Sequence, residues 1–240
     1  MLFCFLPAFD AVEMQLNCIL CQNKYMKKTI IVLLCLLVVA TVVYYFYSTT
    51  YQRSSPANMN TELKKENTEN AAVKALHLKA TTARNFVKRN KYNQQFCFLI
   101  DMKIRSGAER FFVYDLRADS VITSGVVTHG RCNENWLVGR RYGNEPGCGC
   151  TSLGKYKIGH AYHGRFGLAY KLHGLDASNN NAFKRFVVLH AHECVPDKEV
   201  WSEICQSDGC PTVSTSFLQQ LKTMINQSKH PVLLWIYESS

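Results

Sequence analysis

The spacing of apolar and polar positions divides the chain into parts of different character. Thr29 to Tyr47, TIIVLLCLLVVATVVYYFY, is an uncharged run of 19 residues. At about 1.5 Å rise per residue it just covers a hydrocarbon core of about 30 Å. Its aromatic end, Tyr44-Tyr45-Phe46-Tyr47, suits a membrane–water interface. Lys24, Lys27 and Lys28 precede the run and only Arg53 follows closely, which puts the N-terminus in the cytoplasm. The expectation is a cytoplasmic segment over 1–28 and a transmembrane anchor over 29–47. A cleaved signal peptide is the alternative, since Met26-Lys27-Lys28 has the form of a short basic n-region with Met26 as its start. No small-x-small cleavage site precedes the tyrosines.

Residues 48–70 are polar and read as a flexible tether. From Ala71 to about Asn90, Ala, Leu and Val recur at helical spacing. The period then changes. QQFCFLIDMKI, ERFFVYDLRADSVITSGVVTHG and GKYKIGHAYHGRFGLAYKLHGL are β-branched and aromatic runs broken by turn residues, which predicts strands and hairpins. Phe183–Cys194 predicts a buried strand and PVLLWIYES a closing one. Between them STSFLQQLKTMINQ predicts a helix capped by Ser214 or Ser216. One mainly β domain with a few flanking helices, over 71–240, accounts for the pattern.

Charge narrows the partners. The chain has 28 Lys and Arg against 18 Asp and Glu, and all but three of the former and two of the latter follow residue 47. A basic exported surface suits an anionic wall polymer or lipid headgroups, whereas export argues against nucleic acid. The simpler reading of the charge is solubility.

Of the eleven cysteines, Cys97, Cys132, Cys148, Cys150, Cys194, Cys205 and Cys210 follow the apolar run. An odd number leaves at least one thiol unpaired in an oxidising compartment, so three disulfides and one free thiol are expected. Cys194 with Cys205 makes one plausible pair, and Cys132 can reach Cys148 or Cys150. A rival reading assigns Cys132, Cys148 and Cys150, with His129 or His160, to zinc, although the spacing matches no regular Cys-x-x-Cys pattern. A third leaves all seven reduced and buried. The expectation is no metal and no cofactor.

The free thiol is best assigned to Cys210, in QSDGCPTVS. Gly209 and Pro211 bend the loop, so the backbone N–H groups of Gly209 and Cys210 can converge as oxyanion donors. His190, ending the apolar run RFVVLH, is the candidate base on a strand end. On residues alone the other reading, a core His190 and a disulfide-bonded Cys210, stays open.

The run LHAHECVP…CQSDGCPTVS, preceded by GVVTHGR, TSLGKYKIG and LAYKLHGLDASNNNAFKRFVV, resembles the catalytic domain of murein L,D-transpeptidases. It is similar to the branch with a Ser-x-Gly-Cys-Pro nucleophile loop, from about Phe96 to about Ile225. The resemblance implies a β-sandwich-like catalytic domain and a cysteine acyl-enzyme acting on peptidoglycan stem tetrapeptides. Cys210 would be the nucleophile, His190 the base held by a carbonyl near Ala191, and Gly209 an oxyanion donor. His192, Ser207, Ser152 and Arg185 would contact substrate. Water as acceptor would make the site an L,D-carboxypeptidase. A non-catalytic, membrane-anchored wall-binding domain and a disulfide-stapled scaffold are the alternatives from other classes. The chain departs from the commoner pattern at Asp208, where a histidine is usual, and at Ala191, where glycine is. An arginine is usual shortly after the cysteine, where Pro211 and Thr212 stand, leaving Arg185 or Arg131 to supply that charge. His192, two residues from His190, is a rival base.

Overall fold

The structure is a computed structural model that describes residues 28–49 and 56–240. The segment expected to be cytoplasmic lies outside the described residues except for Lys28, as do residues 50–55 of the expected tether. Two compact units, Met1–Thr68 and Glu69–Ser240, divide the chain. In the first, helix α1 (Lys28–Thr49) is 22 residues long, with its apolar side chains exposed. It is long and apolar enough to cross a membrane, as an anchor or a signal sequence would be.

Helix α2 (Pro56–Asn90) begins upstream of the Ala71 that periodicity predicts. Pro56 suits a first helical turn, and no Gly or Pro interrupts the stretch after it. Leu76, Ala80, Ala83 and Val87 line one helical face and are buried.

The strands are β1 (Phe96–Asp101), β2 (Glu109–Asp115), β3 (Ser120–Val126), β4 (Gly154–Gly164), β5 (Gly167–Gly174), β6 (Val188–Ala191), β7 (Thr212–Val213) and β8 (Leu233–Tyr237). Helix α3 (Thr215–Gln227) falls before β8, and its cap is Ser214, whose Oγ accepts the Phe217 N–H. The strands form a single mixed sheet in the order β3-β2-β1-β8-β4-β5-β6-β7. β1–β8 and β6–β7 are parallel, and the other neighbours antiparallel. The mainly β architecture with flanking helices is the expected one.

Strand alternation explains why β1 is buried at every position. Phe96, Phe98 and Ile100 join Phe111, Val113, Leu234 and Ile236 in a core that includes Phe217, Leu218 and Leu221 of α3. Cys97 and Leu99 point the other way, onto Tyr114, Leu233 and the α2 face. Each fully buried aliphatic side chain contributes roughly 1.5–3 kcal/mol, so both helix faces hold the sheet.

The strand predicted over Phe183–Cys194 is shorter, Val188–Ala191. Phe186 adopts φ +56°, and the Val187 N–H returns to the Ala182 carbonyl, so the apolar run begins as a turn. This turn and the β6–β7 end of the sheet carry the site.

Candidate active site

β6 and β7 run side by side, with His190 opposite Thr212 and Ala191 opposite Val213. The loop entering β7 is therefore anchored to the strand that bears His190. It is clamped on a second side by the 127–131 segment. Ser207 N–H donates to the His129 carbonyl at 2.9 Å, Arg131 N–H to the Ser207 carbonyl at 2.9 Å, and Thr128 N–H to the Thr212 carbonyl at 3.0 Å. Inside the loop, Ser207 Oγ donates to the Cys210 carbonyl at 2.7 Å and accepts the Gly209 N–H at 3.2 Å.

Gly209 has φ +103°, and a Cβ there would lie 2.5 Å from the Cys150 carbonyl oxygen. Only glycine fits this approach. Cys150 is itself bonded to Cys132, and Cys194 to Cys205. Among the described residues Cys35, Cys97, Cys148 and Cys210 are free. The expected three disulfides are thus two. Cys97 is buried on the α2 face among Leu, Ala, Val and Tyr side chains, with no other cysteine among the described residues of that cluster, and Cys148 neighbours a Cys150 that is already bonded. The zinc alternative loses two of its thiols to the Cys132–Cys150 bond.

Cys210, His190, His192, Ser207, Thr212 and Phe166 share one cavity of about 410 Å³. A larger polar recess of about 590 Å³, bordered by Asn93, Arg117 and His230, holds no thiol, so size does not mark the site. His190 Nδ1 lies 3.0 Å from the Ala191 carbonyl oxygen. A carbonyl can only accept, so Nδ1 carries the proton and Nε2 is left as the basic nitrogen. Thr212 Oγ1 donates to Nε2 at 3.0 Å. Phe166, at the β4–β5 turn, stacks on the ring at 4.5 Å between centroids and an interplanar angle of 20°. Burial, more than the nearby His192, holds the His190 pKa below its ordinary value, although the Ala191 carbonyl opposes the shift.

The Cys210 thiol is pushed up by burial, and Asp208 adds to the shift. The Val188 backbone N–H and the Arg185 charge oppose it. The thiol faces the Phe186 carbonyl oxygen at 3.9 Å. At rest the pair is therefore a neutral thiol and a neutral imidazole, and the two are not hydrogen-bonded to each other.

Of the residues expected at substrate, His192 and Ser207 line the cavity, and Ser152 and Arg185 do not. His192 is exposed beyond the end of β6, and its Nδ1 accepts the Cys194 N–H at 3.1 Å. Ser152 is buried and donates to the Gly143 carbonyl at 2.8 Å. Arg185 donates to the Gly143 carbonyl, to Ser152 Oγ and to the Cys150 carbonyl. These two residues brace the nucleophile loop from behind. Thr212, Phe166 and the Phe186 carbonyl were not anticipated. An aromatic at the tip of the HGRFG turn was the one available signal.

The sequence matches the L,D-transpeptidase catalytic domain family over residues 67–237, and the chain belongs to that family, whose members act on peptidoglycan peptides. No curated protein matches it in sequence. An L,D-transpeptidase from Mycobacterium smegmatis is similar at 9% identity and TM-score 0.35, over 59% of this chain and 58% of that one. An L,D-transpeptidase from Xylanimonas cellulosilytica is similar at 13% and 0.32, over 64% of this chain and 68% of that one. An L,D-transpeptidase solved in complex with imipenem is similar at 9% and 0.36, over 59% and 58%. The chain thus spans little more than half the length of the first and third. Family membership rests on the match over 67–237, since TM-scores this low decide nothing.

Proposed function

We propose that the chain is an L,D-transpeptidase that works through a Cys210 acyl-enzyme on peptidoglycan stem tetrapeptides. The observation that supports this most directly is the neutral His190 imidazole, its proton fixed on Nδ1 by the Ala191 carbonyl, in the same cavity as the Cys210 thiol. The thiol turns from the Phe186 carbonyl, Thr212 yields Nε2, and His190 takes the thiol proton as Sγ attacks. The carbonyl attacked joins the third, diamino acid residue to the terminal D-Ala. An oxyanion forms and is met by the Cys210 N–H, with the Gly209 N–H as second donor once it leaves Ser207 Oγ. Collapse breaks the C–N bond, and His190 returns the proton to the departing D-Ala amine. An amine of a neighbouring stem then attacks the thioester, gives its proton to His190 and displaces the Cys210 thiolate, which takes that proton back from His190 to restore the resting pair. His192 and Ser207 line the path of the peptide.

The apolar α1 and the basic surface support a membrane-anchored enzyme whose catalytic domain faces an anionic wall. The test is incubation with a synthetic stem tetrapeptide and mass analysis of the products. D-Ala release with a new cross-link is expected, and Cys210→Ala lowers it by at least about 10³-fold. D-Ala release without cross-linking indicates the carboxypeptidase. Binding of wall fragments without any release indicates a non-catalytic module. A mass adduct of imipenem on Cys210 is the second expected result.

A further inference from the structure

Arg131 and Asp208 are the only Lys, Arg, Asp or Glu side chains lining the cavity among the described residues. They are bonded to each other, Arg131 Nε donating to Asp208 Oδ1 at 2.7 Å. Asp208 stands two residues before the nucleophile, and Arg131 reaches it from the segment that clamps the loop. Both side chains are open to solvent, at 41% and 72% exposure. An exposed ion pair of this kind adds little to folding, so stability does not account for it.

Each partner also has capacity left over. Arg131 Nη1 makes only a long bond of 3.3 Å to the Glu134 carbonyl. Among the described residues Nη2 has no protein acceptor, and Asp208 Oδ2 no protein donor. The cavity wall therefore presents a free guanidinium edge and a free carboxylate oxygen side by side. A lone carboxylate approaching Arg131 meets Asp208 within a few ångströms, and its attraction is largely cancelled. A lone ammonium at Asp208 meets Arg131 in the same way. A group carrying both charges satisfies both partners with charge-assisted hydrogen bonds.

We propose that the Arg131–Asp208 pair is the subsite for a zwitterionic amino-acid head group, an ammonium and a carboxylate on one carbon. Resting on the wall-peptide reading above, the group is the distal end of the diamino acid in the third stem position. Arg131 takes its carboxylate and Asp208 its ammonium, which fixes the adjacent carbonyl chain relative to Cys210. The site thus selects a diamino acid with a carboxylate beside its distal amine over one without.

The test compares two synthetic tetrapeptides, L-Ala-γ-D-Glu-X-D-Ala, with X either 2,6-diaminopimelate or lysine. They differ only in the distal carboxylate. The full-length protein in detergent is assayed for D-Ala release, with Arg131→Gln and Asp208→Asn as variants. The wild type is expected to prefer the diaminopimelate stem in kcat/KM by about tenfold, the scale of one charge-assisted contact. Arg131→Gln collapses that preference from both sides, lowering the diaminopimelate stem, which loses its carboxylate partner, and raising the lysine stem, whose ammonium then meets an unopposed Asp208. Asp208→Asn lowers both stems, since both carry the distal ammonium. Equal losses on both stems in Arg131→Gln, as a merely structural role for the pair would give, overturn the proposal, and so does a preference that persists.

In parallel, each peptide is used to protect Cys210 from iodoacetamide, read by mass. This arm does not need turnover. If neither stem is processed, the wall-peptide reading fails, and the subsite is judged by protection alone. Selective protection by the diaminopimelate stem, lost in Arg131→Gln, upholds it. Equal protection by both stems, or none, overturns it.

Discussion

Gly209 is where the nucleophile loop leaves no room for a side chain. Its φ of +103° and the Cys150 carbonyl 2.5 Å from the position of a Cβ impose separate costs on any other residue. Gly209→Ala is expected to lower stability by about 1–3 kcal/mol, the range for a strained backbone position. It is also expected to lower kcat by up to about 100-fold, because displacing a reacting atom by about 1 Å has that effect. Urea unfolding and D-Ala release check the two effects, and a wild-type-like variant in both would show the loop to be slack. At this scale the sequence was legible where a residue's own neighbours define it. Cys210 between Gly209 and Pro211, and His190 at the end of an apolar run, are local signals. Arg131 with Asp208, and Thr212 with His190, meet only across the fold. The paired strands bring Thr212 to His190, and a one-letter string carries no trace of such contacts. Arg185 illustrates the converse. Its charge marked it for substrate, and its Nη1 and Nη2 donate behind the loop, to Gly143, Ser152 and Cys150.

Among the elements, the segment between Cys132 and Cys150 does more than connect β3 to β4. Its disulfide closes a loop with a sequence separation of 18. Its Cys150 carbonyl meets both Gly209 and Arg185. Loss of a cross-link of this span is expected to lower stability by about 3 kcal/mol. The double variant Cys132→Ala/Cys150→Ala should therefore shift the urea midpoint and also slow Cys210, whereas Cys148→Ala should leave both unchanged. An equal loss from Cys148→Ala would mean that Cys148 takes part in the cross-link in solution. The strands of five or more residues were legible because alternation and β-branched residues repeat along them, whereas β7, of two residues, is too short to leave such a pattern. The turn at Phe183–Val187 was not. Its residues are as apolar as a strand's, and only the left-handed backbone at Phe186 shows the difference. The second half of α2 was read from its periodic apolar face, which its polar first half lacks.

At the scale of the whole molecule, the sheet is buried on both faces, and polar groups enclosed with it tie folding to pH. His129 is 2% exposed, and its Nδ1 accepts from Arg110 Nη2 at 3.3 Å. Burial first, then the charges of Arg140 and Arg110, hold its pKa down at about 3. In the unfolded chain the same ring titrates near its ordinary value of about 6.5. As pH falls through that value the unfolded state binds a proton that the folded state refuses. Stability is then complete above about pH 6.5 and declines toward about pH 3, by up to about 1.4 kcal/mol per pH unit for each such proton. His190 is shifted in the same direction by its own burial, so it adds to the decline. Urea unfolding of the wild type between pH 7 and pH 5 should show that decline. His129→Gln, which cannot titrate, should lose one proton's share of the slope whatever its stability at pH 7. An unchanged slope in the variant would mean that His129 takes up its proton in the folded protein. The polar interior behind the nucleophile loop would then have to be open to water, and the clamp of Ser207 on the His129 carbonyl would be correspondingly loose.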